Sequence, residues 1–275
     1  ALSVRRESGH LETGMIRCKV ELLDEQDPVL ALAIHNGHLM HPELLQDCGI
    51  SEADRLREED PYTEAFAEAF PNRIIVYTSR FTVDLNRSPE QAIYLKPEDC
   101  WGLPVRRNPV SDSLLEELRK DYAQWYSLLD FTLQRLLAKH PFLLVPDLHS
   151  FNHRRKGPEA EADPQEQNPD IILGRNNMPQ EYYPLIEQLR QMLDGQQVKG
   201  HKIDCRIDVK FTGGRLSRYV HQTYPDRVLC PAVEFKKIFM DEWTGELDSG
   251  FQAELSSLFR NAVRTWPAAW LQEKS

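Results

Sequence analysis

The sequence has no apolar run approaching the ~20 residues that a membrane-crossing helix needs, and its N-terminal stretch ALSVRRESGHLETG is too polar for a secretory signal. It also has no C-x-x-C pair. The five cysteines, Cys18, Cys48, Cys100, Cys205 and Cys230, are widely scattered, which argues against a zinc ribbon or a dithiol redox motif. Their odd number points to free thiols in a reducing compartment, so a cytoplasmic location is expected. Positive charge is in deficit: 33 Lys and Arg stand against 43 Asp and Glu, a net charge of -10. A chain so acidic lacks the broad basic surface of a nonspecific nucleic-acid binder, although a local cationic pocket is compatible with it. There is no internal repeat.

What is present is ordinary for a soluble globular protein, with 41% hydrophobic and 28% charged residues. A length of 275 residues allows one or two domains; one α/β domain over residues 1–275 is expected. Residues 15–24 (MIRCKVELLD) partly alternate and read as a strand. VLALAI, residues 29–34, has no polar alternation and reads as a strand buried on both faces. PYTEAFAEAF, 61–70, is helical in pattern, with Pro61 suited to the first turn. A strand is expected within 72–87. A long helix is expected over 113–138, with Ser113 and Glu116 as a capping box and Leu114, Leu118, Tyr122, Trp125, Leu129, Leu133 and Leu136 as its core face. PFLLVP, 141–146, reads as a buried strand ending at Asp147-Leu148-His149-Ser150. Further helices are expected over 180–194, stopped by Gly195, and over 249–264, capped by Ser249 and Gln252; strands are expected near 203–209 and 228–235. Strands alternating with helices imply an α/β fold with a mostly parallel mixed sheet and helices on both faces. Residues 151–169, FNHRRKGPEAEADPQEQNP, are highly charged and hold three prolines, so they read as a mobile surface loop, either a lid or an inserted disordered segment.

Three buried segments end in chemically related residues. VLALAI ends at His35, FLLVP at Asp147 and His149, and VLCPAV at Glu234. In open α/β sheets chemistry gathers beyond the carboxyl ends of strands. Imidazoles and carboxylates arriving there are what a catalytic zinc site needs, with one carboxylate outside the metal shell as general base. A lone histidine at such a place could equally satisfy a core hydrogen bond. SRFTVDLNR adds Arg80 and Arg87 around Asp84 and Asn86. A guanidinium beside a metal can grip a carboxylate or stabilise an oxyanion, whereas Asp84 reads as a structural partner of an arginine. Gly213-Gly214-Arg215-Leu216-Ser217-Arg218 offers two further arginines, Arg215 and Arg218, for an anion.

In this order the segments H-N-G after a buried strand, SR-x-x-V-D-L-N-R, D-L-H-S, D-x-x-L-G at Asp170 to Gly174, GG-x-x-x-R and A-V-E-F resemble the N-formylglutamate amidohydrolase family, over roughly residues 29–245. They are also similar, more distantly, to zinc carboxypeptidases. The resemblance implies a phosphorylase/hydrolase-like fold and cleavage of the amide of an N-acyl amino acid, such as N-formylglutamate, with one Zn2+ per chain or another divalent metal. It implies His35 and His149 as metal ligands, Glu234 as general base and Arg80 as the group that polarises the carbonyl. Asn86 and Arg87, with Arg215 and Arg218 as further candidates, would bind a substrate carboxylate. Asp60 is the favoured third ligand, with Glu59 and His38 as alternatives. H-N-G stands where the family more often has H-S-G. A noncatalytic carboxylate-binding homologue, or a zinc hydrolase of a peptide or ester bond, are the other readings. The expected partner is a small carboxylate; neither nucleic acid nor membrane is expected. Asp147, two residues from His149 on one strand face, could orient it.

Overall fold

The computed structural model describes residues 10–13 and 16–266. Most of the polar N-terminal stretch expected not to be a secretory signal, residues 1–9, lies outside that range. The described residues form twelve strands: β1 (His10–Thr13), β2 (Ile16–Leu22), β3 (Ala31–Ala33), β4 (Asn72–Val76), β5 (Leu143–Leu144), β6 (Asp147–Phe151), β7 (Ile171–Gly174), β8 (Gln197–Val198), β9 (His201–Lys202), β10 (Cys205–Ile207), β11 (Val228–Leu229) and β12 (Ala232–Lys236). The α-helices are α1 (Pro42–Gln46), α2 (Glu52–Glu58), α3 (Thr63–Ala67), α4 (Asp112–Leu137), α5 (Tyr183–Leu193), α6 (Arg215–Thr223) and α7 (Ser249–Thr265).

Eight strands make one sheet in the order β1-β2-β4-β3-β6-β12-β7-β10. Its centre, β4-β3-β6-β12, is parallel throughout, and β7 and β10 pair parallel with each other. The β1-β2, β2-β4 and β12-β7 pairings are antiparallel. This is the mostly parallel mixed sheet that the strand–helix alternation implies. Helices cover both faces. Ala31, Ala33, Leu148, Val233 and Phe235 pack with Phe66 of α3 and with residues of α5 and α7. Leu30, Leu32, Ile34, Ile74 and Val76 pack with α4 and with Leu216 and Val220 of α6. Such double coverage is why VLALAI shows no polar alternation. No helix among the described residues is long and apolar enough to cross a membrane.

Several local expectations shift. The strand of the PFLLVP segment does not stop at Asp147. It is two strands, β5 and β6, that jog at Pro146, and His149 lies in the middle of β6. Residues 228–235 jog in the same way at Pro231, giving β11 and β12. The proline carbonyls still take part: Leu32 N donates to Pro146 O at 3.0 Å and Asp147 N to Pro231 O at 3.0 Å. The long helix begins at Asp112, because Ser111 rather than Ser113 is its cap and accepts the Leu114 amide. The last helix is capped by Asp248, which accepts from Phe251 N at 2.9 Å. The helix expected from Pro61 starts at Thr63, since Tyr62 adopts φ +67. The 151–169 segment is anchored at both feet. Glu242 Oε1 accepts the His153 and Arg154 amides at 2.7 and 2.8 Å, and Lys236 Nζ donates to Gln165 Oε1 and Asn168 O at 2.6 and 2.8 Å.

Candidate metal centre and active site

The parallel run β4-β3-β6-β12 sends four carboxyl ends to one edge of the sheet. His35 follows β3, His149 lies on β6 and Glu234 on β12; these three strands are neighbours. His149 and Glu234 are register partners, so their side chains leave the sheet on one face. Asp60 arrives from the turn after α2. Its amide donates to His35 O at 3.0 Å, and its carbonyl accepts the Thr63 hydroxyl at 2.8 Å. Gly37, the last residue of H-N-G, lets this loop pass β4, because a Cβ there would lie 2.2 Å from the Tyr77 carbonyl carbon.

His35, Asp60 and His149 are buried and present one donor atom each, all within 4.8 Å of one another. Asp60 Oδ2 lies 3.6 Å from His35 Nδ1 and 3.3 Å from His149 Nδ1. Metal–ligand bonds of about 2.0–2.1 Å in tetrahedral array set donor separations of about 3.3 Å, close to the two distances from Asp60 to the histidines. The far nitrogens are engaged: His35 Nε2 meets Asp84 Oδ1 at 2.7 Å and His149 Nε2 meets Asp147 Oδ1 at 2.7 Å. An Nε2–H donated to each carboxylate turns both Nδ1 atoms toward Asp60, so a metal that displaces the proton there meets the lone pair of the tautomer a ligating histidine needs. Burial opposes a charge on His149, yet Asp147 and Asp60 outweigh it and hold its pKa well above the ordinary value. Burial would also raise Asp60, but hydrogen bonds from His149 and His35 keep it well below the carboxylate range. Asp147 Oδ2 is buried with no hydrogen-bond partner among the described residues. The cluster therefore favours positive charge, and the donor set fits a divalent cation.

A cavity of roughly 360 Å³ opens over this triangle, bordered by Glu234, Arg80, Asn86, Arg87 and Trp101, and by Arg155, Lys210 and Phe211 among others. Burial pushes the Glu234 carboxyl up to about 8; Asp60 and Asp147 add to the rise and His149 and Arg80 oppose it. Arg80 is partly buried and held by Tyr94 Oη (3.0 Å), the Glu58 carbonyl (3.2 Å) and Asp84 Oδ2 (3.1 Å). Arg87 donates to the Asp99 carbonyl and lies over the Tyr94 ring. Asn86 Oδ1 accepts the Leu216 amide at 3.1 Å, so the start of α6 holds it in place.

Arg215 and Arg218 do not border the cavity. Arg215 stacks on Tyr219, and Arg218 reaches Asn177 on the exposed surface. From that segment Gly213 and Gly214 reach the cavity instead. Glu59 and His38 lie outside the donor triangle. They pair with each other, His38 Nδ1 to Glu59 Oε2 at 2.6 Å, and Ser79 Oγ also donates to Glu59 at 2.5 Å. Asp84, read from sequence as an arginine's partner, contacts Arg80 and also orients His35. Two supporting residues carried no sequence signal. Tyr94 donates to Asp84, and buried Lys237 Nζ donates to the Arg57 and Glu59 carbonyls at 2.6 and 2.9 Å, bracing the turn that carries Asp60. A buried lysine three residues past Glu234 was readable only as one more polar residue after a strand.

The N-formylglutamate amidohydrolase family model matches residues 27–238. Among solved structures, an N-formylglutamate amidohydrolase from Ralstonia eutropha superimposes with a TM-score of 0.71 at 15% identity, covering 92% of this chain and 98% of that one. A gene product of Agrobacterium tumefaciens superimposes with a TM-score of 0.63 at 18% identity, covering 90% and 95%. The carboxypeptidase A of Helicoverpa armigera aligns at 12% identity with a TM-score of 0.48, covering 96% and 69%. No curated protein sequence matches the chain. With the family model spanning most of its length, the chain belongs to the N-formylglutamate amidohydrolase family, whose members are hydrolases of carbon–nitrogen bonds.

Proposed function

We propose that this protein is a metal-dependent amidohydrolase that cleaves the amide of an N-acyl amino acid bearing a free carboxylate, N-formylglutamate being one such compound. The observation that carries this is the buried His35–Asp60–His149 triangle with Glu234 on the adjacent strand. The three residues would hold one divalent ion, zinc by donor type. That ion, when bound, supplies Lewis-acid charge that acidifies water and polarises a carbonyl.

The chain's own groups supply the rest. Glu234 takes the proton of the attacking water on a carboxylate oxygen and returns it to the departing nitrogen. Its place in register with His149, on the wall of the cavity, suits it to both duties. Arg80, fixed by three hydrogen bonds, donates to the carbonyl oxygen as charge develops there. Arg87 and Asn86 hold the substrate carboxylate, which a chain of net charge -10 would otherwise repel. Arg215 and Arg218, placed away from the cavity, have no part in this reading.

Purified protein should carry about one divalent ion per chain by elemental analysis, and the His35→Ala, His149→Ala double variant should carry none. Glu234→Gln should keep the ion and lose about 10²–10⁴-fold in turnover of N-acyl amino acids, the usual scale for removing a general base. Near-normal turnover in Glu234→Gln, or equal metal in the double variant, would sink the assignment.

A further inference from the structure

Trp101 stands where the backbone calls for glycine. After the short 3-10 turn at Pro97–Asp99, the Cys100 and Gly102 amides both return to Pro97 O, at 3.0 and 2.8 Å, and Leu103 N donates to Cys100 O at 2.9 Å. This closure puts Trp101 at φ +55 and Gly102 at φ +81. Glycine enters that left-handed region freely, whereas a residue with a Cβ pays in free energy, so helix ends of this kind usually carry glycine or asparagine. Here the bulkiest side chain of all occupies the position and is left 48% exposed. Neither feature serves stability. Backbone strain of this kind concentrates at functional sites.

The indole borders the cavity, 4.8 Å from the Arg80 guanidinium and 5.9 Å from that of Arg87, with Tyr94 edge-on at 6.1 Å. Orienting the arginines does not account for it. Arg80 already bonds Tyr94, Glu58 and Asp84, and Arg87 bonds the Asp99 carbonyl and lies 4.5 Å over Tyr94. The cavity itself remains. Trp101 lines the same cavity as Arg87 and Asn86, with its ring 5.9 Å from the Arg87 guanidinium, so a substituent beside a carboxylate held there would come within reach of the indole.

We infer that Trp101 is a specificity-determining residue whose indole packs against an apolar, above all aromatic, substituent beside the substrate's free carboxylate. The inference rests on the amide-hydrolase reading above and deepens it: the favoured substrates are N-acyl amino acids with large apolar side chains. Phe211, also on the cavity wall, supplies a second aromatic surface.

The test compares zinc-loaded wild type with Trp101→Gly on N-formylphenylalanine, N-formylalanine and N-formylglutamate, and records the thermal midpoint of both proteins. Wild type should prefer the phenylalanine compound over the alanine one by about tenfold or more in kcat/KM, the scale of a well-placed aromatic contact. Trp101→Gly should lose that preference through KM, while its thermal midpoint stays level or rises as the turn receives the residue it prefers. Wild type without the preference, or a variant that retains it, overturns the inference alone. A lowered midpoint with equal losses on all compounds makes Trp101 a scaffold residue and also overturns it. Hydrolysis of none of the three by wild type overturns the amide-hydrolase reading together with the inference.

Discussion

Two buried aspartates give the histidine pair its chemistry. An imidazole has two nitrogens, and without a partner at Nε2 the proton can sit on the one needed for a metal. Asp84 and Asp147, each 2.7 Å from an Nε2, remove that freedom. Asp147→Asn leaves the shape almost unchanged but offers a weaker, uncharged acceptor. Divalent-metal affinity, measured by chelator competition, should fall about 10–100-fold, as is usual when such outer partners are altered. Unchanged affinity would mean that β6 alone holds His149 in place. His35, His149 and Glu234 stood out in the sequence because each ends or interrupts an apolar run, where a polar residue is costly without a purpose. Asp84 did not stand out, since an acid among arginines already has an ordinary explanation.

Among the elements, α4 shows how firmly a pattern fixes a face and how loosely it fixes an end. Leu114, Leu118, Trp125, Leu129, Leu133 and Leu136 are all buried against the sheet, as their spacing implies. The start is two residues earlier than Ser113 suggests, because serine can cap from either position and only the chain's approach decides between them. Ser111, with extended φ and ψ, accepts the Leu114 amide at 3.2 Å. Ser111→Ala should therefore destabilise by about 1 kcal/mol in chemical denaturation, and exposed Ser113→Ala by much less. The reverse order would restore the Ser113 cap. Strand ends were misjudged for a related reason. Pro146 looks like a terminator and the sequence reads straight through Pro231, but each proline lacks only a donor, and their carbonyls keep the ladder going across the jog.

At the scale of the whole molecule, pH acts on stability through His221. It is 4% exposed on α6, and its Nε2 accepts the Cys230 amide at 3.0 Å, just ahead of β12. Burial lowers its pKa from 6.5 to about 4. An unfolded chain takes up this proton below about 6.5 and the folded one only below about 4, so between those values the unfolded state holds more protons. Stability is therefore complete above that window and falls as the pH drops through it, by up to about 3 kcal/mol from this residue. Denaturant unfolding at pH 7 and pH 4.5 should show the loss, and His221→Gln should shrink it. An equal loss in the variant would assign the acid sensitivity to other groups.

Composition and periodicity by themselves determined the architecture: apolar segments without alternation must be strands covered on both faces, and helical stripes between them make the sheet mostly parallel. That arrangement already implied which residues reach the carboxyl edge, since parallel neighbours end on the same side. What only the tertiary structure decided were the contacts between residues far apart in the chain. Asp60 rather than Glu59 or His38 completes the donor triangle, because Glu59 is taken up by His38 and Ser79. Gly213 and Gly214 reach the cavity while Arg215 and Arg218 turn elsewhere, because the start of α6 is spent on holding Asn86. Trp101 meets Arg80 and Arg87 through a turn whose left-handed backbone no side-chain pattern signals. The division has a physical cause: hydrophobic burial follows a local period along the chain, whereas hydrogen bonds and ion pairs depend on distances that exist only after the chain has folded.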